Sequence, residues 1–428
     1  MRTKKILALI LSMSMLSGLA VGCGSKSTEK TSKSSGPVKI IYSRGKDTTK
    51  GAKEIVAAFN KKYAGKIQVQ LVELPNDSDK QHDQYVTVFN GGGSDYDVFD
   101  ADTIWPAEFA EAGYSLPLDK YIARDKINLN DYMSGPVQAV TFKGKTWALP
   151  RYIDAGFLFY RKDLTTTVPS TWEELNTQAE QLKGKAQFSY IAQGKQYEGL
   201  ICNAVEFIAA YGGQIVDGNG NITIKSDGTK QGLEMMKKIF TSNYVPDNIT
   251  TFTETETDDS FINGKSVFAR NWPYQWAESA DATKSKVVDK VAIAPLPKGS
   301  TRSASCLGGW CAMINKNTKH PEEAWTFLKF LAGPEGQKIS ATAGGLAPTI
   351  TKLYSDPEVQ KASPLFADPN FVKGLQATIP RPVSPIYKKL SNIMQLELSN
   401  YIGGKQDVDT TINNMDSKMK DAVKSASK

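Results

Sequence analysis

The sequence predicts an α/β fold, a mostly parallel sheet covered by helices on both faces, in a chain long enough for two lobes. Three observations predict it. Short apolar strands alternate with amphipathic helices from Val38 onward; 428 residues suffice for two domains of ordinary size; and 40% apolar with 23% charged residues is the composition of a chain that mostly folds.

The elements follow in order. Residues 38–42 form a short apolar strand. Ile55, Phe59 and Tyr63, spaced four apart, stack on one face of a helix. Residues 67–72 alternate as a strand, Tyr85, Val88 and Phe89 mark a second helix, 96–99 is another strand, and a helix begins within 104–109. Farther on, Ser170 and Glu173 have capping-box spacing, so a helix should start there. Another runs from Leu200 to Tyr211 and ends at Gly212-Gly213. Residues 217–221 have the outline of a calcium loop, but Ile222 and Gly228 occupy positions that need glycine and a carboxylate, so Asn219-Gly220 reads as a hairpin turn. Residues 291–294 and 312–314 are strands. Residues 321–331 are a helix with Ala324, Phe327, Leu328 and Leu331 on one face, stopped by Gly333-Pro334.

The N-terminus has a different character. Arg2, Lys4 and Lys5 precede an apolar stretch, 6–19, that is short for a membrane span and fits a secretory signal. It ends at Ala20-Val21-Gly22-Cys23, which resembles a bacterial lipobox, so residues 1–22 are expected to be removed and Cys23 to carry lipid. Residues 23–37, rich in Ser, Lys and Thr, read as anchor and flexible tether. The first 36 residues hold six basic side chains against Glu29, or +5 of the net +7, which leaves +2 for the body. A nucleic-acid binder concentrates positive charge in its folded part; this chain does not.

Metal and catalytic motifs are sparse. The two histidines, His82 and His320, stand at no metal-ligand spacing, so neither a metal nor a cofactor is expected. No nucleophile elbow and no phosphate loop occurs. Glu254, Glu256, Asp258 and Asp259 read as a solvated acidic loop rather than a cation site. Cys202 lies in an apolar helical pattern as a small buried hydrophobe. Cys306 and Cys311 stand in extended chain, where a five-residue offset is too far to bridge, with pairing across a turn as the alternative.

What the chain does offer is the chemistry that holds sugars. Pyranose C–H faces pack on aromatic planes, carboxylates accept from hydroxyls, and arginine donates to them. Asp102 with Trp105, Tyr152 with Asp154, Trp272 with Tyr274, Trp310 beside Gly308-Gly309, and Arg381 between prolines fit that recipe.

The segments 149–156 (Leu-Pro-Arg-Tyr-Ile-Asp-Ala-Gly), 159–164, 193–200, 270–274 (Arg-Asn-Trp-Pro-Tyr), 307–310 and 380–382 make the resemblance specific. Together they resemble the extracellular solute-binding proteins of sugar ABC importers, in the trehalose/maltose-binding branch, over residues 38–391. The resemblance implies a maltose-binding-protein type of fold, two α/β lobes joined by three crossings near Ile153–Asp154, Pro295–Leu296 and Gly345–Leu346. Lobe 1 would be 38–153 plus 296–345, and lobe 2 would be 154–295 plus 346–428. It implies a disaccharide held in the cleft by Asp102, Tyr152, Asp154, Trp272, Tyr274, Gly309, Trp310 and Arg381, with Ser78 reaching the site. Where the branch carries a glutamate after the first strand, this chain has none, and Asp47 or Thr48 is expected to substitute. The implied protein is a monomer on the outer face of the cytoplasmic membrane, held by lipid on Cys23, which delivers its sugar to permease subunits and catalyses nothing. Its rivals are the same fold with another cargo, an oligosaccharide or polyol, and a secreted glycosidase, which would need two carboxylates flanking a bond.

Overall fold

Alternation builds the first sheet. In β1 (Val38–Gly45) Ile40 and Tyr42 face one way and Ile41 the other; β2 (Ile67–Leu74) and β3 (Val98–Asp102) pair on its two edges, both parallel. Val98 joins Ile40, Tyr42, Phe59, Trp325 and Phe327 on one face, and its neighbour Phe99 joins Tyr85, Phe89, Trp105 and Phe109 on the other. Successive side chains leave a strand on opposite sides, so both faces are buried under helices. The computed structural model that shows this describes residues 36–426, apart from 48, 76–77, 218–219 and 377. The expected signal and anchor, Cys23 included, lie outside the described residues.

The remaining strands are a small hairpin of β4 (Thr141–Phe142) and β5 (Lys145–Thr146), then β6 (Leu149–Ala155), β7 (Phe157–Arg161), β8 (Phe188–Ile191), β9 (Ser266–Asn271), β10 (Val291–Pro295), β11 (Ser305–Ile314) and β12 (Thr378–Ile379). The first sheet has the order β12-β11-β3-β1-β2, with β6 also on β11; the second lobe's sheet has the order β10-β7-β9-β8. In that second sheet Leu158 and Phe268 pack beneath the helix Glu198–Ala210, and Phe157, Phe159 and Ala269 pack on the other side with Phe371. The fold is therefore the two-lobed one expected.

Three expectations need correction. The sheets are mixed rather than mostly parallel: β11 is antiparallel to β3 and β6, and β7 is antiparallel to β9 and β10. A chain that leaves the first lobe along β6 and returns along β11 must run the two strands in opposite directions. The helix Trp172–Gln181 is capped by Thr171, which accepts from Glu174 N–H, while Glu174 reaches back to Ser170; the cap sits one residue later than expected. The acidic run is not a loop but the helix Glu254–Ile262, opened by a capping box of Thr253 and Glu256. His82 is buried against Trp105, with Nε2 2.9 Å from Glu108. Burial, the largest single influence, lowers its pKa, but the hydrogen bond and charge of Glu108 together with the hydrogen bond to Asp83 more than offset it and leave the pKa raised.

Other readings hold. Val216 and Ile222 form an antiparallel bridge, while Asn219 of the expected turn lies outside the described residues, and Cys202, Cys306 and Cys311 are buried and form no disulfide, the last two in one strand. Among the described residues no helix is long and apolar enough to cross a membrane.

The passage between sheets is built on close approach. A side chain at Gly156, between β6 and β7, would collide with the carboxylate of Glu206 and the guanidinium of Arg270. These two form a fully buried ion pair; Glu206 also accepts from the Cys306 N–H of β11 at 3.1 Å, and Arg270 donates to Gln193 at 3.1 Å. On the return after Gly345, Gln337 clasps the chain: its amide donates to Pro150 O at 3.0 Å, and its carbonyl accepts from Thr349 N–H at 2.7 Å.

Candidate functional site

Strand register assembles half of the site. Trp310 of β11 sits opposite Asp102 of β3 on one edge and Tyr152 of β6 on the other; two residues back, Gly308 sits opposite Asp154. Directly opposed residues, and residues two apart, share a face. Asp102, Tyr152, Asp154 and Trp310 therefore stand together on one side of the sheet. Trp310 is half-buried, with its ring edge-on to Trp105 at 5.4 Å.

Gly308 and Gly309 make that arrangement possible in different ways. A Cβ on Gly308 would come 2.9 Å from the ring of Trp272, which arrives from β9 of the other sheet. Gly309 has φ +108°, and a Cβ there would strike Tyr152 O. The Gly-Gly-Trp segment is thus the middle of a strand and not a loop, and Gly309 serves close backbone approach.

Arg381, 6% exposed, closes the site from beyond β12. Its Nη2 donates to Asp102 Oδ1 at 3.0 Å and to Thr103 Oγ1 at 3.4 Å; its Nη1 donates to Glu198 Oε1 at 2.8 Å. Glu198 opens the helix Glu198–Ala210, where an N-terminal carboxylate is favoured. Glu198 also accepts from Tyr387 and from Ser391 Oγ, the latter at 2.6 Å. Burial, with the nearby charge of Asp102 second, pushes the Asp154 carboxyl up to about 7. Burial likewise raises the Tyr152 hydroxyl well above its ordinary value.

The opposite wall is aromatic. Trp272 has the Arg270 guanidinium 4.2 Å from its ring centroid, and its indole N–H donates to Glu254 Oε1 at 3.2 Å. Tyr274, 39% exposed, donates its hydroxyl to Glu254 O at 3.3 Å. Asp47 is held by local partners. It accepts from Arg44 at 3.1 Å, from Thr49 N–H and from Ala52 N–H, so it fixes Arg44 and the start of the helix Gly51–Lys62. Thr48 lies outside the described residues. Ser78 opens the helix Ser78–Asn90, whose Asp79 pairs with Lys388 of the second lobe. Glu198 and Glu254, which hold Arg381 and Trp272, are not singled out by the sequence, because a carboxylate's partners cannot be read from spacing.

A separate hollow of about 440 Å³ is lined by Ile127, Tyr132, Leu149, Ile350 and Leu353, and none of the expected sugar residues borders it. Among the described residues no cluster of three or more His, Cys, Asp or Glu could hold a metal ion.

A family model described as bacterial extracellular solute-binding protein matches residues 45–338. The chain is 35% identical over 311 residues to a probable ABC transporter-binding protein of Deinococcus radiodurans, covering 70% of this chain and 73% of that protein. It is 24% identical over 350 residues to the galactooligosaccharide-binding protein of Bacillus subtilis, covering 79% of each. Among solved structures it is similar to maltose-bound T. maritima MalE3, at 32% identity and a TM-score of 0.80, over 90% of this chain and 99% of that one. These relatives are binding proteins and not enzymes.

Proposed function

The chain belongs to the family of bacterial extracellular solute-binding proteins, and from that premise we propose that it is the sugar receptor of an ABC importer, holding a disaccharide of the maltose or trehalose kind between its lobes. One observation carries the reading: Arg381 joins Asp102 of the first lobe to Glu198 of the second, beside Tyr152, Asp154 and Trp310 and facing Trp272. Carboxylates and a forked arginine satisfy sugar hydroxyls, and indole planes receive the C–H faces. Tyr274 extends the aromatic wall, and Gly309 keeps β11 tight against β6. The similarity to a maltose-bound structure supports the cargo class.

Capture works through closure. A ligand shifts an open–closed equilibrium only by its differential affinity for the two states. A sugar touching Asp102 and Trp272 at once supplies that difference, since those residues belong to different sheets. In this reading the hinge lies near Ile153–Asp154, Pro295–Leu296 and Gly345–Leu346, and the closed lobes form the surface that the permease engages. The receptor works as a monomer tethered by lipid on Cys23.

Calorimetric titration with maltose, trehalose, maltotriose and a galactooligosaccharide tests the proposal. Saturable heat with a disaccharide is the expected result. Heat only with the longer sugars moves the cargo to oligosaccharides, and none with any of the four overturns the reading.

A further inference from the structure

Glu254 begins the acidic run, and its side chain does not face solvent alone. Its two carboxylate oxygens are divided between two aromatic residues: Oε1 accepts the indole N–H of Trp272 at 3.2 Å, and Oε2 accepts the hydroxyl of Tyr197 at 2.7 Å. Its backbone carbonyl takes the Tyr274 hydroxyl. The Trp272 ring is bounded further by the Arg270 guanidinium over one face and by Gly308 at its edge. Helix geometry steadies the carboxylate, because Glu254 is the first residue of the helix Glu254–Ile262, whose cap Thr253 is locked by Glu256.

We propose that Glu254 is a positioning residue for sugar recognition: by holding the indole N–H of Trp272, it fixes the plane of that ring and withdraws its only donor from the ligand. Trp272 then meets a sugar with its remaining apolar face alone. This rests on the receptor reading above and adds the way in which the second lobe presents its platform. Recognition by Trp272 is by stacking on a ring's C–H face, and a ligand hydroxyl aimed at the indole nitrogen finds it already engaged. Tyr197, held by the same carboxylate, belongs to the same unit.

The test uses the full folded chain in two arms. In the first, the indole N–H resonance of Trp272, identified among seven tryptophans by its loss in Trp272→Phe, is followed by NMR without sugar. It is expected to move upfield and exchange faster in Glu254→Ala, and to change less in Glu254→Gln, whose carbonyl still accepts one bond. In the second, maltose affinity falls about tenfold in Glu254→Ala, the worth of one charge-assisted hydrogen bond. It falls by less than about threefold in Glu254→Gln, and Glu254→Ala adds little in a Trp272→Phe background, where there is no N–H to hold. An unmoved resonance, or fully additive effects, in a protein that binds maltose overturns this proposal alone. No heat from the unaltered protein with any of the sugars named above overturns the receptor reading and this proposal together.

Discussion

Arg381 donates from Nη2 to Asp102 Oδ1 at 3.0 Å, joining the end of a first-lobe strand to a loop that the second lobe holds through Glu198. The guanidinium is rigid and forked, so it can serve two carboxylates in fixed directions. Arg381→Ala is expected to weaken maltose binding by roughly a hundredfold, from about 3 kcal/mol for truncating one partner of a buried charge pair. Arg381→Lys, which keeps charge but not the fork, should recover only part of that. Calorimetric titration of both variants checks it; affinity within threefold of the unaltered protein in Arg381→Ala would remove Arg381 from the site.

Asp154 gives the site a pH dependence. Its folded pKa, pushed up to about 7 by burial and then by Asp102, lies well above the ordinary carboxylate value of about 3.9. Between those values the folded chain keeps a proton that the unfolded chain has lost. Stability from this group is therefore full below about pH 4 and is lost as pH rises through about 7. Asp154→Asn imitates the protonated form and should be more stable than the unaltered protein at pH 8, with the gap closing toward pH 5. Urea midpoints at the two pH values measure this, and a gap that does not narrow contradicts it.

Gly308 and Gly309 should respond differently to alanine. In Gly308→Ala the new methyl meets the Trp272 ring, so affinity should fall while stability changes little, and Trp272 fluorescence should report a displaced ring. In Gly309→Ala the cost is backbone strain at φ +108° plus a clash with Tyr152 O, about 1–3 kcal/mol. Chemical denaturation beside sugar titration separates the two; equal stability losses would mean that Gly308 serves the strand and not the platform.

Much of this fold is legible in the sequence wherever one residue pattern meets one structural period. β1, β2 and the helix Gly51–Lys62 are examples, since Ile40, Tyr42, Ile55 and Phe59 bury together at the spacing the sequence announces. β11 is legible as a strand at 312–314 and as extended chain around Cys306 and Cys311, but its pairing is not. Residues 305–310, Ser-Cys-Leu-Gly-Gly-Trp, carry two adjacent glycines and no apolar alternation, and they are extended because β12 pairs with Ser305 and Cys306 and β6 with Leu307 to Trp310. The aromatic residues and aspartates of the site stood out by type. Their partners did not, because Glu198 and Glu254 reach Arg381 and Trp272 across 183 and 18 residues of chain, and no local period encodes either distance. Asp47 illustrates the reverse: its nearest partners, Arg44, Thr49 and Ala52, are local, and they claim it for a helix start.

The Glu206–Arg270 pair separates stability from function. Both side chains are at most 1% exposed, beside Gly156 and the Cys306 N–H of β11. Removing one partner strands a charge where water cannot reach it, so Glu206→Gln should cost about 3–5 kcal/mol in urea unfolding. Replacing both with apolar residues of similar volume, Glu206→Leu with Arg270→Met, leaves no stranded charge and should restore most of that loss. Sugar affinity should not return with it, because the guanidinium 4.2 Å from the Trp272 ring centroid is gone and the ring loses the support behind its binding face. A double variant that regains both stability and maltose affinity would show that Arg270 acts only as a counterion to Glu206 and has no part in presenting the platform.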